Sequence, residues 1–439
     1  MTAATFDTAL PTAARPARRD IGIKKRYAAE ARFKAYGIAA ITFGLIFLAI
    51  MLGSIFTKGY TAFWQTNVTL PVTFDQSVID PQNKRESDPS VLVKANYDKL
   101  AQNALISKLG IKPDDKPTIA KLKGFLSDSA RIQLRDKLMA DPSLMGKTVD
   151  VAMLASANID SAFKGQVDLT VPEARRKVKD QQITWMNELA KDGTLAEKFN
   201  TGLFTYGASS RPETSGIGVA IVGSLYMMII VLVLALLVGV AASIYLEEFA
   251  KKNRLTDLIE VNINNLAAVP SIVFGLLGLA VFINFLGMPR SASIVGGITL
   301  SLMTLPTIII ATRAALAAVP PSIRQAALGL GASKMQMVFH HVLPLAMPGI
   351  LTGTIIGLAR ALGETAPLLL IGMVAFVANY PTTPFDPATA LPVQIYMWAN
   401  EAERAFVERM SGAIIILLVF LMAMNITAII LRRKFERRW

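Results

Sequence analysis

The stretch PPSIRQAALGLGASKMQMVFHHVLPLAMPG, residues 320–349, is a mixed polar and apolar segment between two long apolar blocks. Pro320 and Pro321 prevent the preceding chain from continuing as a helix, and Ser322 is a suitable N-cap for a short helix, SIRQAALGL. Gly331 permits a sharp turn directly after it. The stretch therefore predicts a helix, a turn and a second helix, placed between two membrane-spanning segments.

The second helix of this pair is predicted to begin at Ser333, because Gln336 completes a capping box three residues later. Pro344 is predicted to end it. Five apolar side chains recur at intervals of three and four residues, which is typical of an amphipathic helix: Met335, Val338, Phe339, Val342 and Leu343. On these grounds alone the helix fits two roles, lying on the lipid surface or docking on a cytoplasmic partner protein.

The composition of the chain around this loop is typical of a membrane protein. Of 439 residues, 53% are hydrophobic and 18% are charged, and the mean hydropathy is +0.45. The apolar residues occur in blocks long enough to cross a hydrocarbon core of about 30 Å as helices. We predict an all-α polytopic membrane protein with six transmembrane helices, at residues 36–56, 217–244, 266–286, 294–312, 348–377 and 412–431.

These spans divide the chain into five regions. They are a basic cytoplasmic tail (1–35), the first transmembrane helix (36–56), an extracytoplasmic domain (57–215), a core with the other five transmembrane helices (216–432) and a basic cytoplasmic tail (433–439). The core includes the cytoplasmic loop 313–346, which contains the opening stretch.

The extracytoplasmic domain is predicted to have a mainly helical α+β fold. Alternation around Val72, Phe74 and Val78 indicates a strand, and amphipathic patterns indicate helices at residues 97–109, 119–138 and 172–189. Three aromatic residues directly after the first span are predicted to form an interfacial aromatic belt: Tyr60, Phe63 and Trp64.

The net charge of +13 is concentrated at the membrane flanks. This distribution favours cytoplasmic termini and contact with anionic lipid rather than nucleic-acid binding. The N-terminal region is too long for a cleaved signal peptide, so we expect the first span to be retained. The basic residues at the two flanks are Arg15, Arg18, Arg19, Lys24, Lys25, Arg26, Arg32 and Lys34, then Arg432, Arg433, Lys434, Arg437 and Arg438.

Metal and thiol chemistry find little support in the sequence. The absence of cysteine excludes disulfides, thiolate metal sites and cysteine nucleophiles. His340 and His341 are the only histidines, and no third ligand accompanies them. We therefore expect no metal site.

The stretch LARALGETAPLLLIG, residues 358–372, places Arg360 and Glu364 within the fifth predicted span. A charge at the bilayer centre costs about 2.5–3.5 kcal/mol, so lipid-facing placement is unfavourable. The two residues either form a salt bridge that fixes packing between subunits, or Arg360 lines the path of an oxyanion and Glu364 orients it. Thr365 is a weaker candidate for the same path. Arg313 fits an interfacial anchor.

The opening stretch resembles the signature of the permeases of binding-protein-dependent ABC importers. That signature has Glu-Ala-Ala, three residues, Gly, nine residues, then Ile-x-Leu-Pro. At these spacings this chain has Gln325, Ala326 and Ala327, then Gly331, then His341 to Pro344 with Leu343 before the proline; Gln325 replaces Glu and His341 replaces Ile. The resemblance implies a coupling helix that docks on an ATPase subunit.

Residues 217–432 resemble the PstA-type permeases of the bacterial phosphate importer, most clearly in SIYLEEFAKKNRLTDLIEVNINNLAAVPSIVFGLLG (residues 243–278) and in LARALGETAPLLLIG. The resemblance implies the six-helix type I importer fold, a location in the bacterial inner membrane and phosphate as substrate. It also implies the partners PstC, a PstB dimer and PstS.

Enzymatic activity is not expected of this chain. It has no GxxxxGK[ST] loop, and the resemblance assigns ATP and Mg to the partner ATPase, with no cofactor here. The alternatives are a permease for phosphonate, molybdate or sulfate, and, from other classes, a membrane sensor with an extracytoplasmic ligand domain or a membrane enzyme. The sensor would need an output domain, and the enzyme an acid/base or metal cluster.

Overall fold

The computed structural model describes residues 22–85, 87–88, 90–112 and 114–435. Residues 1–21 and 436–439 lie outside this description. They include five of the basic residues that the sequence places beside the first and last spans. The chain divides into two units, Met1–Ser54 and Ile55–Trp439. Helix α1 (Ile23–Gly59) begins in the first unit and ends in the second. The five basic residues outside the description are Arg15, Arg18, Arg19, Arg437 and Arg438.

Between α1 and the next long helix the chain folds into a lobe, which we define as Trp64–Thr205. It contains a three-stranded antiparallel sheet in the order β2-β1-β3. The strands are β1 (Trp64–Thr73), β2 (Thr148–Leu154) and β3 (Leu195–Phe199). The helices are α2 (Gln76–Ile79), α3 (Ser90–Lys94), α4 (Tyr97–Lys108), α5 (Lys116–Lys121), α6 (Ala130–Ala140), α7 (Ala157–Phe163), α8 (Asp180–Lys191) and α9 (Thr201–Thr205).

The central strand β1 organises the lobe core. Val68, Leu70 and Val72 alternate along it and are fully buried, as the two-residue period of a strand requires. In the register of the sheet, Val68 lies opposite Met153 of β2 and Leu195 of β3. One hydrophobic cluster thus includes side chains from all three strands and from the surrounding helices.

Two of the patterns in this region were assigned to the wrong elements. Val78 lies in α2 rather than in the strand, which ends at Thr73. The helix predicted over residues 119–138 is two helices, α5 and α6, and between them Gly124 adopts φ +79°. A positive φ interrupts a right-handed helix, although the apolar period continues on both sides of it.

The second half of the chain contains the remaining long apolar helices. Within the described residues, five helices are long and apolar enough to cross a membrane, or six if one bent pair counts as a single span. The helices of this core are α10 (Gly218–Ile244), α11 (Arg254–Ala267), α12 (Ser271–Leu277), α13 (Ser293–Ala317), α14 (Pro321–Gly329), α15 (Lys334–Gln336), α16 (Leu343–Gly363), α17 (Ala366–Leu370), α18 (Leu391–Ala399) and α19 (Ala405–Phe435).

The third predicted span, residues 266–286, is not a straight helix. Arg254–Ala267 and Ser271–Phe285 meet at an angle of 104°. Pro270 occupies the N-cap position of α12, where its ring disfavours a helical conformation at the residue before it. The sequence identified the apolar segment, but the proline bends it.

The helix of the fifth predicted span, residues 348–377, begins and ends earlier in the chain than expected. Helix α16 begins at Leu343, ends at Gly363, and is followed by the short α17. Glu364 has extended backbone angles, φ −81° and ψ 128°, at the C-cap position. The interruption divides the apolar segment at its charged residues.

Helices α13 and α16 pack closely through small residues. Gly349 and Gly353 of α16 face Ala315 and Ala311 of α13, and a Cβ added to Gly349 would lie 2.5 Å from the Cβ of Ala315. Small residues at a spacing of four allow helix backbones to approach in membranes, where tight packing drives helix association. This contact fixes α16 on α13.

We predict that Gly353→Leu weakens this contact, because the added side chain would overlap Ala311. Overpacking typically costs about 1–3 kcal/mol, so the melting temperature in detergent should fall. Gly44→Leu is the matched control, since a Cβ at Gly44 meets nothing within 4 Å. Equal melting temperatures for the two variants would contradict the packing argument.

Candidate functional site

The loop predicted over residues 313–346 is shorter in the structure, at residues 318–342, because α13 continues to Ala317 and α16 begins at Leu343. It folds as the predicted helix, turn and helix, and we name it the coupling loop after its predicted role. Pro320, not Ser322, occupies the N-cap position of α14. Gly331 makes the turn with φ +86°, and Ser333 and Gln336 form the expected capping box. The turn and the capping box could be predicted from the sequence because each depends on residues within four positions of one another.

The signature residues of α14 divide between its two faces. Gln325 and Ala326 are exposed, whereas Ala327 is buried. The buried face joins a hydrophobic cluster with Ile244 at the end of α10 and Leu316 at the end of α13. The loop is therefore packed onto the ends of two long helices, and the other face of α14 is open.

Arg324, directly before the signature, holds the loop in place. Its Nη2 donates to Oε1 of Glu248 at 2.7 Å and to the Leu316 carbonyl at 2.8 Å. Its Nη1 donates to the Val319 carbonyl at 2.6 Å. One guanidinium thus joins α14 to the segment after α10 and donates to one carbonyl in the last turn of α13 and to another just beyond its end.

A second ion pair lies on the neighbouring helices. Arg313 Nη2 donates to Oε1 of Glu260 in α11 at 2.6 Å, and Arg313 Nε lies 3.4 Å from Oε2 of Glu247. Arg313 is therefore paired with two carboxylates, which the interpretation as an interfacial anchor did not foresee. The sequence signal was present, because charged residues stand at the ends of three apolar segments, but sequence alone does not pair them.

The second helix of the loop continues into α16 instead of ending at Pro344. Residues Met337–Val342 form a π-helical segment, and Pro344 lies in the first turn of α16. Leu343 and Pro344 are partly buried. Pro344 has no backbone N–H to donate, and the wider turns of a π-helix change which hydrogen bonds form near it. The chain from α15 to α16 is therefore one continuous helix.

The predicted apolar face of the second helix is split. Val338 and Val342 are buried in the core cluster, whereas Met335 and Phe339 are exposed. Exposed apolar side chains therefore lie on both helices of the loop and on the turn between them, and Leu330 at the turn is 91% exposed. We define this docking patch as Leu328, Leu330, Met335 and Phe339.

Arg360, Glu364 and Thr365 come together at the break between α16 and α17. Arg360 lies in the last turn of α16 and is exposed, Glu364 is the C-cap, and Thr365 is the N-cap of α17. Arg360 Nε lies 3.7 Å from Oε1 of Glu364, which is beyond hydrogen-bond distance. The helix dipole also stabilises a cation in the last turn of a helix.

The two groups of candidate residues lie at opposite ends of α16. Leu343 and Pro344 begin this helix and Arg360 lies near its end. A helix of 21 residues is about 30 Å long. A continuous helix therefore connects the coupling loop directly with the charged break.

In the part of the chain that the structure describes, no group of three or more His, Cys, Asp or Glu residues could hold a metal ion. His340 and His341 are exposed on the loop.

We predict that Arg324→Met destabilises the chain by about 3–5 kcal/mol, because it leaves the buried Glu248 carboxylate unpaired. The double variant Arg324→Met/Glu248→Met should recover part of this loss in thermal unfolding. Arg131→Met is the control, since its 3.9 Å pair with Asp98 is exposed and contributes little. A loss no greater than that of Arg131→Met would contradict the role of the pair.

Five or six helices in the described part of the chain are apolar and long enough to cross a membrane, which defines a multi-pass membrane protein. Residues 235–439 match the model of the binding-protein-dependent transport system inner membrane component, and residues 20–173 match a domain of unknown function, DUF3333. The chain belongs to the binding-protein-dependent transport system inner membrane component family. It is a permease subunit of an ABC importer, whose ATPase is a separate subunit.

Named relatives support this assignment. The chain is 30% identical over 249 residues to the probable ABC transporter permease protein YqgI of Bacillus subtilis. The aligned region covers 50% of this chain and 83% of that protein. It is 32% identical over 254 residues to the phosphate transport system permease protein PstA 1 of Mycobacterium tuberculosis (58% and 77%). It is 31% identical over 235 residues to PstA of Xylella fastidiosa (53% and 80%).

Among solved structures, the chain shows a weak similarity to an inward-facing MetNI methionine ABC transporter. It shares 18% identity with this chain, at a TM-score of 0.42, over 50% of this chain and 95% of that one.

Proposed function

We propose that this chain is the PstA-type permease subunit of an ATP-driven phosphate importer and forms half of the translocation pathway. The observation that carries the proposal is Arg360, a partly exposed guanidinium at a helix break, in a chain whose named relatives include phosphate transport permeases.

The geometry of Arg360 suits transient binding of an oxyanion. A guanidinium presents paired N–H donors that match phosphate oxygens. The 3.7 Å separation from Glu364 leaves these donors incompletely satisfied, so phosphate can replace the carboxylate without breaking a short hydrogen bond. Glu364 repels the anion and orients the cation, and the hydroxyl of Thr365 lies at the same break. Non-helical backbone at membrane depth is tolerated where it lines a cavity.

The coupling loop transmits movement from the ATPase subunit to the permease. Its docking patch would fit an apolar groove of the ATPase subunit, with Gln325 and Ala326 on the exposed face of α14. ATP and Mg are held by that partner. Because the second helix of the loop continues without a break into α16, displacement of the loop would move α16 and therefore Arg360.

The complete transporter would contain the homologous permease PstC, a PstB dimer and the phosphate-binding protein PstS. We place both termini in the cytoplasm of a bacterium, with the chain in the inner membrane and the lobe on the extracytoplasmic side. The basic residues beside the first and last spans support this orientation.

We predict that Arg360→Gln lowers phosphate uptake at least about tenfold while the complex still assembles, because a hydrogen bond to a charged group is worth about 1.5–3 kcal/mol. The measurement is uptake of labelled phosphate by vesicles that contain the purified complex. Arg131→Gln, on the lobe surface, is the control. Wild-type uptake by Arg360→Gln would refute the pathway assignment.

The same vesicles test the substrate. Phosphate, phosphonate, sulfate and molybdate all present oxygens that a guanidinium can bind. We expect excess phosphate, but not the other anions, to suppress labelled phosphate uptake. ATP-dependent uptake of sulfate or molybdate with no uptake of phosphate would replace the proposed substrate.

We predict that Leu330→Glu and Phe339→Glu each prevent association with the ATPase, because a carboxylate would be desolvated in an apolar contact. Copurification of the ATPase with the tagged permease measures this. Met139→Glu, at an exposed apolar position of the lobe, should leave association unchanged. Full copurification with both loop variants would exclude the docking patch.

A further inference from the structure

Four aromatic rings form a row where α1 passes into the lobe. Trp64 meets Phe199 edge-on with ring centres 6.1 Å apart, and Phe199 stacks on Phe204 at 6.0 Å. Phe204 contacts Phe63 at 6.1 Å. Phe63 and Trp64 follow the first helix, whereas Phe199 ends β3 and Phe204 lies in α9. Sequence indicated an aromatic belt only for the first two, because the others join them through the fold.

The row is not part of the lobe core. Trp64 is 44% exposed and Phe199 is 54% exposed. Tyr60, three residues before Phe63, and Tyr206, two residues after Phe204, are also exposed. Large apolar rings that cluster on a surface indicate a binding partner, and rings that carry a polar atom suit a boundary between water and an apolar phase.

The position of the row relative to the membrane is set by two helices. Gly59, the last residue of α1, contacts α19 so closely that an added Cβ would lie 2.6 Å from the Ser411 carbonyl carbon. Gly412 of α19 faces Ala62 in the same contact. The uncharged part of α19 begins here, so the hydrocarbon boundary lies near Gly412. Tyr60 and Trp64 follow within five residues of Gly59.

A buried ionic cluster fixes Trp64 at this level. Lys164 Nζ donates to the Trp64 carbonyl at 2.8 Å, to Asp160 Oδ2 at 2.8 Å and to Glu408 Oε1 at 3.0 Å. These three charged side chains are between 1% and 6% exposed. Glu408 belongs to α19 and Lys164 follows α7 of the lobe. Since a buried charge must keep its partners, the lobe is held rigidly against the transmembrane helix.

We propose that the aromatic row, with Tyr60 and Tyr206, binds the head-group region of the lipid bilayer and so seats the lobe on the membrane surface. Aromatic residues are enriched at this depth in membrane proteins. Exposed Lys58 and Lys198 flank the row in sequence, where lipid phosphates would attract them. The lobe is then a part of the transporter that contacts lipid directly instead of projecting into solvent.

The test is the depth of Trp64 in the assembled transporter in nanodiscs of phosphatidylcholine and phosphatidylglycerol. Trp185→Phe, Trp398→Phe and Trp439→Phe leave Trp64 as the only tryptophan of this chain, and a complex that also carries Trp64→Phe gives the background fluorescence of the other subunits. We expect lipids with a head-group spin label to quench Trp64 several-fold more than the matched control, Met139→Trp combined with Trp64→Phe. Met139 is 45% exposed and lies on α6, on the β2 side of the sheet.

Quenching of Trp64 no stronger than that of the control would overturn the proposal. Strong quenching in the isolated chain that disappears in the full complex would assign the row to a protein interface and also overturn it. A second measurement avoids core substitutions by replacing the exposed Tyr60 with a benzophenone amino acid. Photo-crosslinking to lipid supports the proposal, whereas exclusive crosslinking to another subunit refutes it.

Discussion

The guanidinium of Arg324 is the contact on which the mechanical arrangement of this permease depends. It pairs with the buried Glu248 carboxylate and donates to carbonyls at the end of α13. Three separate segments therefore share one cation. Removing the guanidinium leaves the buried Glu248 carboxylate without its partner, so the loop is held against the helices that it joins.

Helix α16 extends this rigid region to the charged break. The helix passes through Pro344 because the preceding turn is π-helical, and it packs on α13 through glycine and alanine. Arg360 and Glu364 lie at its far end. Charges cluster where the helix ends, because the free carbonyls of a C-terminus favour a cation and irregular backbone needs polar surroundings.

The lobe is attached to the core by the same kind of contact. Lys164 and its two carboxylates lie between the lobe and α19, as Arg324 lies between the loop and α10. In both places one cation donates to at least one backbone carbonyl as well as to at least one carboxylate. Such junctions specify one arrangement of the parts, since sliding them would leave charges unpaired in a medium of low dielectric constant.

Composition and short-range pattern were enough to predict the membrane class, the apolar segments, the turn at Gly331 and the capping box at Ser333, because these depend on composition or on neighbours within four residues. The sequence placed Arg360 and Glu364 close together for the same reason. It did not predict the passage of the helix through Pro344, or the pairing of Arg324 with Glu248, Arg313 with Glu260 and Lys164 with Glu408. The tertiary structure decided these, because a proline can either end or redirect a helix depending on its packing, and partners 53 to 244 residues apart meet only when helices pack side by side.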